Sequence, residues 1–358
     1  MAKVAKMQTW FKTIKLISQD KLYVGLDVHK KSTHVAIWLN GKLEQTFVMP
    51  AKIDKAMAML ERLRVALKKV VYEAGPTGFG LARAINKAGL PIGVVAPAQT
   101  PRSATPDNKS DRLDSRKLAE FAAKDMLRFI GIPGEQEEAD RQVLRLRDQL
   151  ASKRRRVKQQ IKSFLLQHGL AEPEGLKHWT NASIDVLKSM TLLPELRFCL
   201  DMLLEELANL RNQIKKVEEP MTRLAESERH SAQVSLLKSH PGVGPVTALA
   251  FRMGLYQPER FKRPEEVAKY LGLCPKVRQS GQKRREGPLL KTGRPELRSL
   301  LIEAAWRWIR EDTVGQDVYK RLLENTANSN KAIVGVAHKL AIHLWKMLIT
   351  GETYRSAA

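Results

Sequence analysis

Several residue types are scarce in this sequence, and each shortage removes a class of function. Cys199 and Cys274 are the only two cysteines in 358 residues, with no CxxC pair and no histidine-rich cluster. A zinc ribbon is thereby excluded, and a reducing compartment is expected. No apolar run approaches the ~20 residues that cross a bilayer, so no membrane partner is expected. The segment Met1 to Asp20 is basic and mildly amphipathic without a continuous apolar stretch. It reads as a tail or a phosphate-contacting arm rather than a secretory signal. There is no GxxxxGK[ST] phosphate loop. Acidic residues are also short: 38 Asp and Glu stand against 62 Lys and Arg, a formal charge of +24. Such an excess repels itself unless a polyanion is the working partner, and nucleic acid is the natural one. A cytoplasmic protein is expected.

The length predicts two or three domains. Apolar runs at Tyr23 to Leu26, Thr33 to Leu39 and Lys42 to Val48, with an Asn40-Gly41 turn of type I′ character, predict a three-stranded opening. A helix is predicted over Ile53 to Lys68, with Met57, Leu60, Leu63 and Leu67 on its apolar face, and then a strand, Val70 to Tyr72, that delivers Glu73. A helix over Phe79 to Ala88, a strand over Ile92 to Val95 and a helix over Lys109 to Met126 complete an α/β domain, 21–132, with functional residues at strand ends.

Past about residue 133 the composition turns to long, charged helices punctuated by leucine. One arm carries Val143, Leu146, Leu150, Val157, Ile161 and Phe164, interrupted at the basic run Lys153, Arg154, Arg155 and Arg156, which is expected to contact nucleic acid. The other carries Leu196, Leu200, Leu203, Leu207, Leu210, Ile214, Val217, Met221 and Leu224, with Pro220 predicted to kink its last turn. The region 133–230 reads as an antiparallel hairpin or an oligomeric coiled coil; self-association is favoured over an intramolecular bundle. In the third region, 231–358, Pro241-Gly242-Val243-Gly244-Pro245 has the shape of a helix-hairpin-helix turn, in which Gly242 and Gly244 free backbone amides to approach a phosphate. The stretch from Lys276 to Arg298 adds Arg278, Lys283, Arg284, Arg285, Lys291 and Arg294 against only Glu286 and Glu296. Trp306, Trp308 and Trp345 are assigned to packing.

Four acids stand out. Asp27 ends the first strand and Glu73 ends a later one, while Asp111 and Asp114 sit three apart at the start of a helix. Singly, they read as solvated strand ends and helix caps. Together, in so basic a chain, they offer the anionic oxygen ligands that hard divalent cations require. An actin-like ATPase opens with a similar strand and acid, and the turn Gly75-Pro76-Thr77-Gly78 could cradle phosphate, but that reading leaves +24 unexplained.

Eight strings in order along the chain resemble the DEDD transposases of the one-ten insertion-sequence family, which includes the Piv DNA invertases. They are Gly25-Leu26-Asp27-Val28-His29-Lys30, Tyr72-Glu73-Ala74-Gly75-Pro76-Thr77-Gly78, Val95-Ala96-Pro97, the segment Lys109 to Ala119, Pro241 to Pro245, Tyr270 to Pro275, Gln279-Ser280-Gly281, and Lys291 to Arg298. The resemblance implies a ribonuclease-H-like (RuvC-like) α/β catalytic domain, a coiled-coil dimerisation arm and a mainly α carboxy-terminal transposase domain. It implies that Asp27, Glu73, Asp111 and Asp114 bind Mg2+, as two ions for which Mn2+ can substitute. It implies that Ser280 attacks the phosphodiester to form a phosphoserine, with Lys283, Arg284 and Arg285 placed to stabilise the developing charge. The partners implied are double-stranded DNA, a structured non-coding bridge RNA, and further copies of the chain in a dimer or tetramer; because Ser280 lies far from the acids in sequence, the active site is expected to be composite, assembled across domains or across subunits. A protein-only invertase, a Holliday-junction resolvase-like nuclease and a non-enzymatic nucleic-acid-binding protein are the alternatives.

Overall fold

The computed structural model describes residues 10–97, 111–280, 283–290 and 293–355, with backbone only at 111–113, 278–280 and 283–286. The chain divides into two compact units between Glu135 and Gln136. In the first, strands β1 (Leu22–Val28), β2 (Ser32–Leu39) and β3 (Lys42–Pro50) form an antiparallel meander. Asn40 and Gly41 both take positive φ in its tight turn, as the sequence predicts. Strands β4 (Leu67–Glu73) and β5 (Ile92–Val95) extend the sheet parallel to β1, and the short β6 (Phe129–Ile130) closes it antiparallel. The resulting order is β3-β2-β1-β4-β5-β6.

Both faces of the centre are covered, which is why β1 is almost wholly apolar. Helices α1 (Ile53–Leu63) and α2 (Gly80–Lys87) bury Leu60, Leu63 and Ile85 with Leu22, Val24 and Leu26. Helix α3 (Asp111–Ala123) sets Leu118 and Ala122 on Val71 and Val95 of the opposite face. Two expectations are corrected here. The helix from Ile53 stops at Leu63, because Leu67 pairs with Leu22 to begin β4, and parallel pairing outweighs the helical spacing of Leu67. The segment after residue 9 is not a free tail: Trp10 is buried in the sheet core, joined there by Phe11, Ile14 and Leu16.

The second unit is mainly helical. Its two long helices, α4 (Glu135–Gln167) and α6 (Pro194–Glu226), have 33 residues each and are about 50 Å long at 1.5 Å per residue. They run antiparallel within one chain: Arg147 pairs with Glu218 at 3.5 Å, and Leu144 joins the same core as Met221. Leu150, Val157, Ile161 and Leu165 of α4 pack with Leu200, Leu204, Leu207, Leu210 and Ile214 of α6, and α5 (Asn181–Ser189) adds Ile184 and Leu187. The buried stripe is therefore offset from the predicted one, with Leu144 and Leu165 in place of an exposed Leu146 and a partly buried Phe164. Pro220 lies inside α6, which continues to Glu226.

Helices α7 (Ser231–Lys238), α8 (Pro245–Leu255), α9 (Pro264–Leu271), α10 (Pro295–Glu311), α11 (Thr313–Thr326) and α12 (Ser329–Thr350) surround the larger core, with a hairpin of β7 (Pro275–Ser280) and β8 (Lys283–Leu289). By length and composition α12 could cross a membrane, but half of its most apolar window is buried, with Ala337, Leu340, Ala341 and Leu344 inside the core. Trp308 and Trp345 are core residues as expected; Trp306 is exposed beside Tyr319.

Candidate active site

In the first unit, Leu26 pairs with Tyr72 across the parallel β1 and β4 strands, so Asp27 and Glu73 follow at the same ends of neighbouring strands. The turn after Glu73 is held in place: the Ala74 amide donates to Val95 O at 2.8 Å, and the Tyr72 hydroxyl donates to Gly78 O at 3.2 Å. Helix α3 descends on β1 at Gly25, where an added Cβ would run into the Ser115 carbonyl and the Ala119 amide. Asp114, the residue before Ser115, is thus on the helical turn that packs two residues from Asp27. Asp111 opens the same helix, and its carboxylate lies outside the described residues. His29 Nε2 pairs with Asp27 Oδ2 at 2.9 Å, a contact that the sequence left without a role although His29 is only two residues on. Strand-end carboxylates are hard oxygen donors of the kind a divalent cation takes. Among the described residues no three His, Cys, Asp or Glu side chains form a closed cage.

In the second unit, Ser280 ends β7 opposite Lys283. The side chains of Ser280, Lys283, Arg284 and Arg285, and the whole of Lys291, lie outside the described residues. Gly242 takes φ of +80°, and a Cβ there would lie 2.6 Å from both Ala304 O and Trp308 N of α10. Its amide already donates to a Glu311 carboxylate oxygen at 2.8 Å, so this glycine serves close packing. A Cβ on Gly244, at the start of α8, would make only an ordinary contact with the Arg307 guanidinium at 3.9 Å. Of the basic run on α4, Lys153, Arg155 and Arg156 are exposed. Arg154 is half-buried, its Nε without a hydrogen-bond partner, and burial with the nearby Arg147 and Arg211 lowers its pKa. Arg298 reaches the Gly272 and Leu290 carbonyls at 3.4 and 3.5 Å and ties the hairpin to its neighbours.

Residues 24–169, which contain all four acids, match the DEDD transposase domain of IS110 elements, and residues 234–320, which contain Ser280, match the family described as "Transposase IS116/IS110/IS902 family". The chain belongs to the IS110/IS116/IS902 transposase family. The transposase for insertion sequence element IS1111A of Coxiella burnetii is 29% identical over 81% of this chain and 80% of its own length. That for IS1533 of Leptospira borgpetersenii is 26% identical over 91% of this chain and 95% of its own. As a family member this transposase is an enzyme that binds, cleaves and rejoins DNA, and its DEDD domain points to use of a divalent metal.

Proposed function

We propose that Asp27, Glu73, Asp111 and Asp114 hold two Mg2+ ions, replaceable by Mn2+, in a ribonuclease-H-like domain, and that Ser280 is the nucleophile that breaks the DNA strand. The observation that carries this reading is the pair Asp27 and Glu73 at adjacent parallel strand ends, with the Asp114 turn packed on Gly25. A bound divalent cation supplies charge neutralisation and eases loss of a hydroxyl proton. Ser280 Oγ gives its proton to solvent and bonds to phosphorus, the bond from phosphorus to the departing strand oxygen breaks, and that oxygen leaves as a hydroxyl protonated from solvent. One phosphate ester replaces another, so rejoining is the reverse attack and needs no nucleotide triphosphate. Lys283, Arg284 and Arg285 offset the charge that builds on the phosphoryl oxygens. Ser280 lies far from the acids in sequence, so this reading takes the site as composite, assembled across domains or across the subunits of a dimer or tetramer.

The functional division follows 21–132, 133–230 and 231–358 as catalytic domain, coiled-coil arm and transposase domain, with the basic residues of 1–20 as phosphate contacts. A structured bridge RNA as guide is what the family resemblance implies, and a charge of +24 without base-reading motifs suits it. A DNA substrate in a bacterium calls for a cytoplasmic, nucleoid-associated protein. The test uses the full-length protein on a nicked suicide DNA. Wild type forms a covalent adduct, and Ser280→Ala forms none; an adduct in that variant removes Ser280 as nucleophile. Asp27→Asn and Glu73→Gln lower adduct formation by about a thousandfold, the equivalent of roughly 4 kcal/mol, while binding in EDTA is unchanged. Equal loss of binding and cleavage contradicts the metal site, and full activity of RNA-free protein favours the protein-only invertase.

A further inference from the structure

The second unit contains a cleft of about 530 Å³ between α4 and the amino-terminal end of α10, separate from every residue assigned above to cutting or joining DNA. Helix α4 lines it with Arg141, Arg145, Lys153 and Arg156, which fall on one side of the helix, and α10 adds Arg294 at its cap. Leu144, Ala250, Leu297 and Leu300 form an apolar floor. Among the described residues two carboxylates, Asp148 and Glu296, line the same space. Arg141 is held by stacking on Tyr256, its guanidinium carbon 4.4 Å from the ring centre. Among the described residues none of the five cations is in an ion pair, although carboxylates elsewhere in the unit pair with Arg147, Arg229 and Arg252. Glu137 acts on Arg141, but five cations against two lining carboxylates leave the lining net positive, in a concave setting that concentrates the field. Burial and Arg294 lower the pKa of Arg141, while burial and Glu296 push that of Asp148 up to about 6.

We propose that this cleft seats the phosphodiester backbone of a single nucleic-acid strand, held by Arg141, Arg145, Lys153, Arg156 and Arg294, with the apolar floor against sugars and base edges. From Arg141 to Arg156 is roughly 22 Å of helix at 1.5 Å per residue, the rise of about six nucleotides of one strand. DNA and RNA strands share this chemistry. The inference rests on the reading above only in that the protein handles nucleic acid.

Binding is measured on the full-length protein in EDTA, so that neither metal nor cleavage enters the result, with labelled single-stranded DNA, single-stranded RNA and duplex DNA as separate arms. The variant Arg145→Ala/Lys153→Ala/Arg156→Ala removes three exposed cleft cations. Lys215→Ala/Lys216→Ala/Arg223→Ala removes three exposed cations of α6 outside the cleft, an equal change in charge. The cleft variant is expected to lose about tenfold more affinity than the control for a single strand, with its salt slope reduced by about 2, from ~0.7 per phosphate contact. The arm that responds more strongly identifies DNA or RNA. A photo-crosslinking side chain at Ser152, which lines the cleft, should capture that strand. Equal losses in both triple variants, a response from duplex alone, or no crosslink at Ser152 overturns the proposal. Loss of adduct formation with Ser280→Ala bears on the nuclease reading and leaves this result untouched.

Discussion

Gly25 shows how one residue without a side chain organises the candidate site. The atoms that an added methyl group would meet belong to the backbone of α3 at Ser115 and Ala119, which cannot rotate away. Gly25→Ala should lower stability by about 1–3 kcal/mol and reduce metal-dependent cleavage, because α3 has to lift and carries Asp111 and Asp114 with it. Thermal unfolding and cleavage rate, measured together, check this; an unchanged melting temperature would mean that α3 does not sit on β1 in solution. Arg154 makes the complementary point. It stands in a run of four basic residues, yet it alone turns inward beside Arg147 and Arg211, while Lys153, Arg155 and Arg156 face solvent.

For the helices, the leucine stripes are already buried within the chain. Leu207 is 1% exposed and Phe198 on the same helix 66%. Leu207→Ala should cost about 2–5 kcal/mol, and Phe198→Ser within about 0.5 kcal/mol, as read by denaturant unfolding. A large, concentration-dependent loss for Phe198→Ser would show that another copy covers that face. The turn between α7 and α8 adds a pH response. His240 is 1% exposed, packed against Trp308, His343 and Tyr354, and near Asp312, which accepts the Tyr354 hydroxyl hydrogen at 2.8 Å. Burial lowers its pKa from 6.5 to about 4, and that of His343 falls for the same reason. The unfolded chain therefore binds more protons between those two values. Stability is complete above about pH 6.5 and falls as pH drops toward 4, by on the order of 3 kcal/mol for His240. Melting temperatures from pH 7.5 to 5 should decline more steeply for wild type than for His240→Asn; parallel curves would remove His240 as the cause.

At the scale of the whole molecule, a charge of +24 makes nucleic-acid affinity steeply dependent on salt. With roughly six to ten phosphate contacts, binding should weaken by about 10³–10⁵ between 50 and 200 mM salt, with a slope near 0.9 per contact on duplex DNA. Titration by fluorescence anisotropy at several salt concentrations measures the slope, and a flat response would exclude phosphate contacts as the main source of affinity.

Much of this was legible in the amino-acid order. The first five strands announce themselves by apolar runs and turn residues, and Asp27 and Glu73 are visible as strand ends, because local propensity and burial act over a few neighbours. The β7–β8 hairpin was not legible, since Lys276, Arg278 and the polar residues around them lack the alternation of a half-buried strand. Arg141 and Arg145 were missed for a similar reason: a cation on a long charged helix gains meaning only from what faces it. The sequence alone determined the family, the strongly basic character, and the four acids with Ser280 as candidates, through motifs that are local strings. Only the tertiary structure decided that Asp27 stands beside Glu73, that the leucine stripes close on each other within one chain, that the Gly242 amide is taken by Glu311, and that five scattered cations share one cleft. Each of these depends on contacts between residues distant in sequence, which packing sets and residue order does not display.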